Sequence, residues 1–138
     1  MDYQYALTPF LAWLTAGILK FVINSIKAKQ LAFGLIGYGG LPSNHSAIVS
    51  STAALIALKA GISHPAFGVA ITLAFIVIMD ANSLRKQVGN HAVAINKLAI
   101  GTGEYKKLRE RVGHSRLEIF AGIAVGIAVA KAVNMFFA

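Results

Sequence analysis

Cysteine is absent from the chain, and acidic side chains are scarce: five Asp and Glu stand against thirteen Lys and Arg in 138 residues. Without thiols there is neither a disulfide framework nor a thiolate metal site. The few His and carboxylate residues form no ligand cluster such as His-Glu-x-x-His, so no metal and no cofactor is expected. Charge of any kind is thin. Only 13% of residues are charged and 57% are hydrophobic, far from the balance of a soluble globular protein. No Asp, Glu, Lys or Arg occurs from Gln30 to Leu58, nor from Ala60 to Met79. Runs of that length without charge are the signature of membrane spans. The formal net charge of +8 does not point to nucleic acid, because the basic residues flank apolar runs and no aromatic-studded soluble domain accompanies them. Anionic lipid headgroups are the expected partner.

These features predict an all-α, integral membrane helical bundle in one domain over 1–138, with about four spanning helices plus an interfacial helical segment. The first helix is expected from about Ala6 to Ile26, opened by Thr8-Pro9; it lacks a basic leader and an Ala-x-Ala site and so reads as a retained span. Lys20 sits near its end, either snorkelling to the headgroups or facing a polar site inside the bundle. After Lys27 and Lys29 an apolar re-entry over 31–36 leads to Gly39-Gly40-Leu41-Pro42-Ser43-Asn44-His45-Ser46-Ala47. There Gly40 and Pro42 break regular structure, and Ser43 or Asn44 can cap a second helix reaching Ala60. Free N–H groups, a hydroxyl and His45 would meet at that helix start, where an anion is favoured; a plain capped turn is the competing reading. Ser63-His64-Pro65 opens a third helix, with His64 as its cap.

Polarity returns abruptly at Asp80-Ala81-Asn82-Ser83-Leu84-Arg85-Lys86 and persists to Asn96-Lys97. In helical register Leu84, Val88, Ala92, Ile95 and Leu98 form a stripe, as in a helix lying along the interface, with Gly89 and Asn96 on other faces. A basic loop holding Lys106, Lys107, Arg109 and Arg111 follows. His114 and Glu118, four apart at the start of the last helix, share a face on which the carboxylate can orient the imidazole. Gly122 and Gly126 mark a close helix contact, and a homodimer burying such a glycine face is one expectation.

If each long apolar run crosses once, one face of the bundle gathers Lys20, Lys27, Ser43, His45, Asp80, Arg85, His114 and Glu118. All Lys and Arg except Lys59 and Lys131 then lie on that side, which the positive-inside rule makes cytoplasmic. Two imidazoles with several cations and few carboxylates suit metal-free phosphoryl transfer.

The three motifs at 39–47, 79–89 with Ile95-Asn96, and 113–122 resemble the divergent, short-chain branch of the phosphatidic acid phosphatase type 2 superfamily, which also includes vanadium haloperoxidases and bacterial acid phosphatases. The resemblance runs from about Lys20 to Gly126. It implies that His114 is a nucleophile forming a phosphohistidine, that Glu118 orients it, and that His45 is the acid for the leaving group. Lys20, Lys27, Ser43, Gly40, Arg85 and Arg109 are then phosphate-binding candidates. Lys27 stands where the wider superfamily has arginine, and Leu108 where the arginine six residues before the nucleophile would be, with Arg109 one step out and Arg85 as an alternative cation. Asp80, Lys86 and Asn96 fall in the branch's middle motif with no role assigned by the resemblance. The expectation is a lipid phosphatase in the plasma membrane of a prokaryote, acting on a phosphomonoester or pyrophosphate such as phosphatidate, phosphatidylglycerophosphate or a polyprenyl phosphate. The competing reading is a module that binds or transports lipid phosphates or anions without turnover.

Overall fold

The computed structural model describes residues 3–29, 31, 40–101, 105–110 and 112–137. Most of the apolar re-entry expected over 31–36, Gly39, and Arg111 of the basic loop lie outside the described residues. Among the described residues five helices follow one another: α1 (Gln4–Ala28), α2 (Asn44–Ala60), α3 (Pro65–Asn82), α4 (Leu84–Leu98) and α5 (Arg116–Phe136). The chain is an all-α integral membrane protein. Three helical runs, Gln4–Ala28, Pro65–Leu98 and Arg116–Phe136, are long and apolar enough to cross a bilayer. The expectation of four spans is met only in part, because α2 has 17 residues and falls short of the others.

The packing is that of a membrane bundle, with small residues inside and large apolar ones outside. α1 turns Thr8, Ala12 and Ala16 inward at four-residue spacing, while Phe10, Trp13 and Ile18 are exposed. α3 does the same with Ala70 and Ala74, leaving Val69, Leu73 and Phe75 outward. Lipid solvates large side chains as well as a protein core does, so helices associate where small residues let backbones approach. α2 is the hub, packed most extensively on α5 and also on α1 and α3. Ala12, Ala16 and Ala47 form one core cluster with Val125 and Val129, and Leu55, Ala130 and Val133 form another with Tyr5 and Ala54. The Gly122 and Gly126 face is used within the chain. A Cβ on Gly126 would lie 2.5 Å from Ala47 O and 2.9 Å from Ser51 N, and one on Gly122 would strike Ser43 O. That face is therefore covered by α2 and is not open to a second copy.

Local signals explain where the helices start. Ser43 caps α2 by accepting from Ser46 N–H, His64 caps α3 by accepting from Ala66 N–H at 3.2 Å, and Pro65 occupies the first turn. Ser115 and Glu118 form a complete capping box on α5. Between α3 and α4 the only interruption is Ser83, at φ −98° and ψ −67°. On α4 the expected stripe divides: Leu84, Val88, Ile95 and Leu98 are exposed, whereas Ala92 is buried together with Gly89 and Asn96. The packed face of α4 is thus the one with small and polar residues, again the inverse of a water-soluble helix.

Candidate functional site

Two backbone hydrogen bonds build the site before any side chain is considered. Ser43 N–H donates to Glu118 C=O at 2.9 Å, tying the start of α2 to the first turn of α5. His114 N–H donates to Ala81 C=O at 3.1 Å, tying the residue before the α5 cap to the end of α3. Gly113 makes the second junction. Its φ is +98°, and a Cβ there would sit 3.2 Å from Lys86 N, so neither the backbone conformation nor the space suits another residue.

These ties bring His45 and His114 together, ring centroids 6.0 Å apart and planes inclined by 54°. His114 Nδ1 lies 3.1 Å from Glu118 Oε2, and the two side chains are only 6% and 13% exposed. A carboxylate only accepts, so Nδ1 carries the proton and the lone pair is on Nε2. The same carboxylate oxygen accepts from Ser115 N–H at 3.0 Å. Glu118 therefore serves the helix cap and the imidazole at once.

His45 is held differently. Arg85 Nη2 is 3.3 Å from His45 Nε2, while Arg85 Nε donates to Asp80 Oδ2 at 3.2 Å. A guanidinium only donates, so His45 accepts at Nε2 and is neutral in this arrangement. Burial first, then the cations of Arg85 and Lys20, hold the His45 imidazole below the usual histidine range, with Asp80 opposing them. His45 Nδ1 and Asn44 Oδ1 are buried without a hydrogen-bond partner among the described residues, the kind of exception that a polar ligand resolves.

Ser43 is fully buried and shares a 3.1 Å hydroxyl contact with Ser46. Lys20, half-buried on α1, is within electrostatic reach of Glu118 and His45. Gly40 borders Asn24 at φ +146°. Lys27 is exposed in the last turn of α1, and Arg109 is exposed on the segment before His114. Lys86 lines an open cleft of about 470 Å³ with Asn82, Val112, Gly113, His114, Ser115 and Arg116. Asn96 lies on the far part of α4 and holds residues 105–110. Among the described residues no three His, Asp or Glu gather as a metal-binding group.

Sequence reasoning overlooked three participants. Ser115 was legible, since Ser-x-x-Glu before an apolar run is the capping-box pattern. Gly89 and Arg116 were not, because only the folded chain brings Glu110, Val112 and Gly113 against α4 and opens a cleft beside His114.

A family model described as the divergent PAP2 family matches residues 1–129. The uncharacterized membrane protein YuiD of Bacillus subtilis (strain 168) is 31% identical over 148 residues, covering 95% of this chain and 94% of the relative. No solved structure matches.

Proposed function

The chain belongs to the divergent PAP2 family, and from that premise we propose that it is a metal-independent phosphatase of membrane lipids. The observation that carries this reading is the pair of imidazoles 6.0 Å apart, one oriented by a carboxylate through Nδ1 and the other held by a guanidinium. His114 Nε2 attacks the phosphorus of a lipid phosphate or pyrophosphate, the bond from phosphorus to the leaving oxygen breaks, and a phosphohistidine forms. The incoming anion draws Arg85 towards itself and favours the protonated form of His45, which then gives its proton to the leaving oxygen. Water cleaves the P–N bond while His45 takes a proton back. Lys20, Arg85, Ser43 and the free N–H groups of the α2 start stabilise the charge on the transferring group. The lipid tail occupies the bilayer, so phosphatidate, phosphatidylglycerophosphate and polyprenyl phosphates are the candidate substrates. The basic balance of the site-bearing ends supports a cytoplasmic orientation of the site, in the plasma membrane of a prokaryote.

Phosphate release by the detergent-solubilised protein from a panel of these lipids tests the proposal, comparing wild type with His114→Ala and His45→Ala. Release that survives a chelator and disappears in both variants supports it. The second reading, an anion-binding or transport module without turnover, is favoured by the resting contact between Arg85 and His45 Nε2, which leaves His45 neutral. It predicts lipid-phosphate binding with no release.

A further inference from the structure

Asn96 lies two turns beyond Gly89 on the packed face of α4, 9% exposed, and all of its polar capacity is spent on one neighbouring segment. Its Oδ1 accepts from Tyr105 O–H and from Leu108 N–H, each at 2.8 Å. Its Nδ2 donates to Leu108 C=O and to Glu110 Oε1, again at 2.8 Å each. An amide can make few bonds beyond these four. The segment is thereby fastened at its start and then laid along α4. A Cβ on Gly89 would meet Glu110 O at 2.6 Å and Val112 N at 3.5 Å, so only a glycine lets the backbone lie there. Val112 N–H donates to Glu110 C=O at 3.1 Å, Gly113 lies against Lys86 N, and His114 N–H ends the path on Ala81 C=O.

The path runs back along α4 from position 96 through 89 to 86 and ends at Ala81 in the last turn of α3, passing with Gly113 beside the backbone of Arg85 on α4. We propose that Asn96 is a positioning residue for the His114 imidazole, acting through residues 105–110 and 112–113 and touching no substrate. One helix then sets both the cation that holds His45 and the backbone that presents His114, so the spacing of the two imidazoles is built into α4. The catalytic consequence rests on the phosphatase reading; the positioning itself does not.

The experiment pairs two variants that disturb the path from opposite ends. Asn96→Ala removes the four bonds, while Gly89→Ala leaves them and pushes the backbone off α4 with a residue that favours helix. ¹⁵N spectra of histidine-labelled protein in detergent read the His114 ring directly, with His114→Ala assigning its signals. Both variants are expected to shift the His114 resonances and loosen its Nδ1–H bond to Glu118. Turnover should fall by about 10²-fold with little change in KM, as expected when a reacting group is misplaced by about 1 Å. Unchanged His114 resonances in the two variants overturn the proposal, and so do shifted resonances with unchanged turnover in an active enzyme. If Asn96→Ala does not fold, Asn96→Asp, which keeps the two accepted bonds and loses the two donated ones, takes its place. If the wild type releases no phosphate from any lipid, the phosphatase reading fails, and the His114 resonances still judge the role of Asn96.

Discussion

Replacing Gly122 by Ala tests the central joint of the bundle, because the first turns of α2 and α5 are joined there by the bond from Ser43 N–H to Glu118 C=O. The added Cβ would strike Ser43 O and lie 2.9 Å from Ser46 Cβ, where ordinary contact begins at 3.4 Å. The helices must part by at least about 0.5 Å to relieve it. Overpacking of this kind costs about 1–3 kcal/mol, and the better helix propensity of Ala returns about 1 kcal/mol of that. The net loss of stability is therefore about 0–2 kcal/mol, small enough for the variant to fold. Function should suffer more than stability. His45 and Glu118 ride on the two helices that separate, and a shift of about 0.5 Å between reacting groups corresponds to about tenfold or more in turnover. Circular dichroism melts in detergent measure the first quantity and phosphate release from a lipid phosphate the second. Gly126→Ala serves as comparison, since its clash with Ala47 O and Ser51 N is of the same kind one turn farther from the histidines. A Gly122→Ala protein with wild-type stability and wild-type turnover would refute the reasoning that these helices touch through backbone.

Three further outcomes follow from individual contacts. Glu118→Gln keeps an acceptor for the α5 cap but removes the negative charge beside His114 Nδ1, so turnover should fall by about 10²-fold or more with folding intact; unchanged kinetics would remove Glu118 from the mechanism. Ser115→Ala deletes one half of the capping box and should destabilise the protein by about 1 kcal/mol in thermal or denaturant unfolding, whereas no change would mean that the cap is dispensable. The hydrogen bond from Asn96, and then the nearby Lys107, hold the Glu110 carboxyl below its ordinary value of 4.5. Because the folded value lies below the unfolded one, the ionised carboxylate contributes stability above pH 4.5, and that contribution is lost as pH falls through the lower folded value. Unfolding followed between neutral and acid pH should therefore show a weaker acid dependence in Glu110→Gln, and identical pH profiles would contradict the bond.

Much of the fold was legible because membrane spans announce themselves by the absence of charge, a property that needs no tertiary context. α1 and α3 appeared close to their observed limits, Ser43 and His64 were readable as caps, and the spacing of His114 and Glu118 placed them on one helical face. What periodicity could not supply was direction. In lipid the large apolar residues of a helix face outward, so the stripe of Leu84, Val88, Ile95 and Leu98 marked the exposed side of α4, and Gly89, Ala92 and Asn96 marked the packed side. The same inversion hid the partner of the Gly122 and Gly126 face, which turned out to be α2 of the same chain.

The sequence by itself determined membrane residence, helical class and the short-range pairs, because each depends on composition or on residues within about one turn of one another, and the family, because its motifs are contiguous stretches in a fixed order. The tertiary structure alone decided that His45 stands 6.0 Å from His114, that Arg85 reaches from Asp80 to His45, and that Asn96 fastens the segment ahead of His114. Those relations join residues 5 to 69 positions apart, beyond one helical turn in every case, and no local preference encodes them. They arise from how closely backbones approach, α2 on α5 at Gly122 and Gly126 and the segment before His114 on α4 at Gly89, and the partners those glycines admit are visible only in the fold.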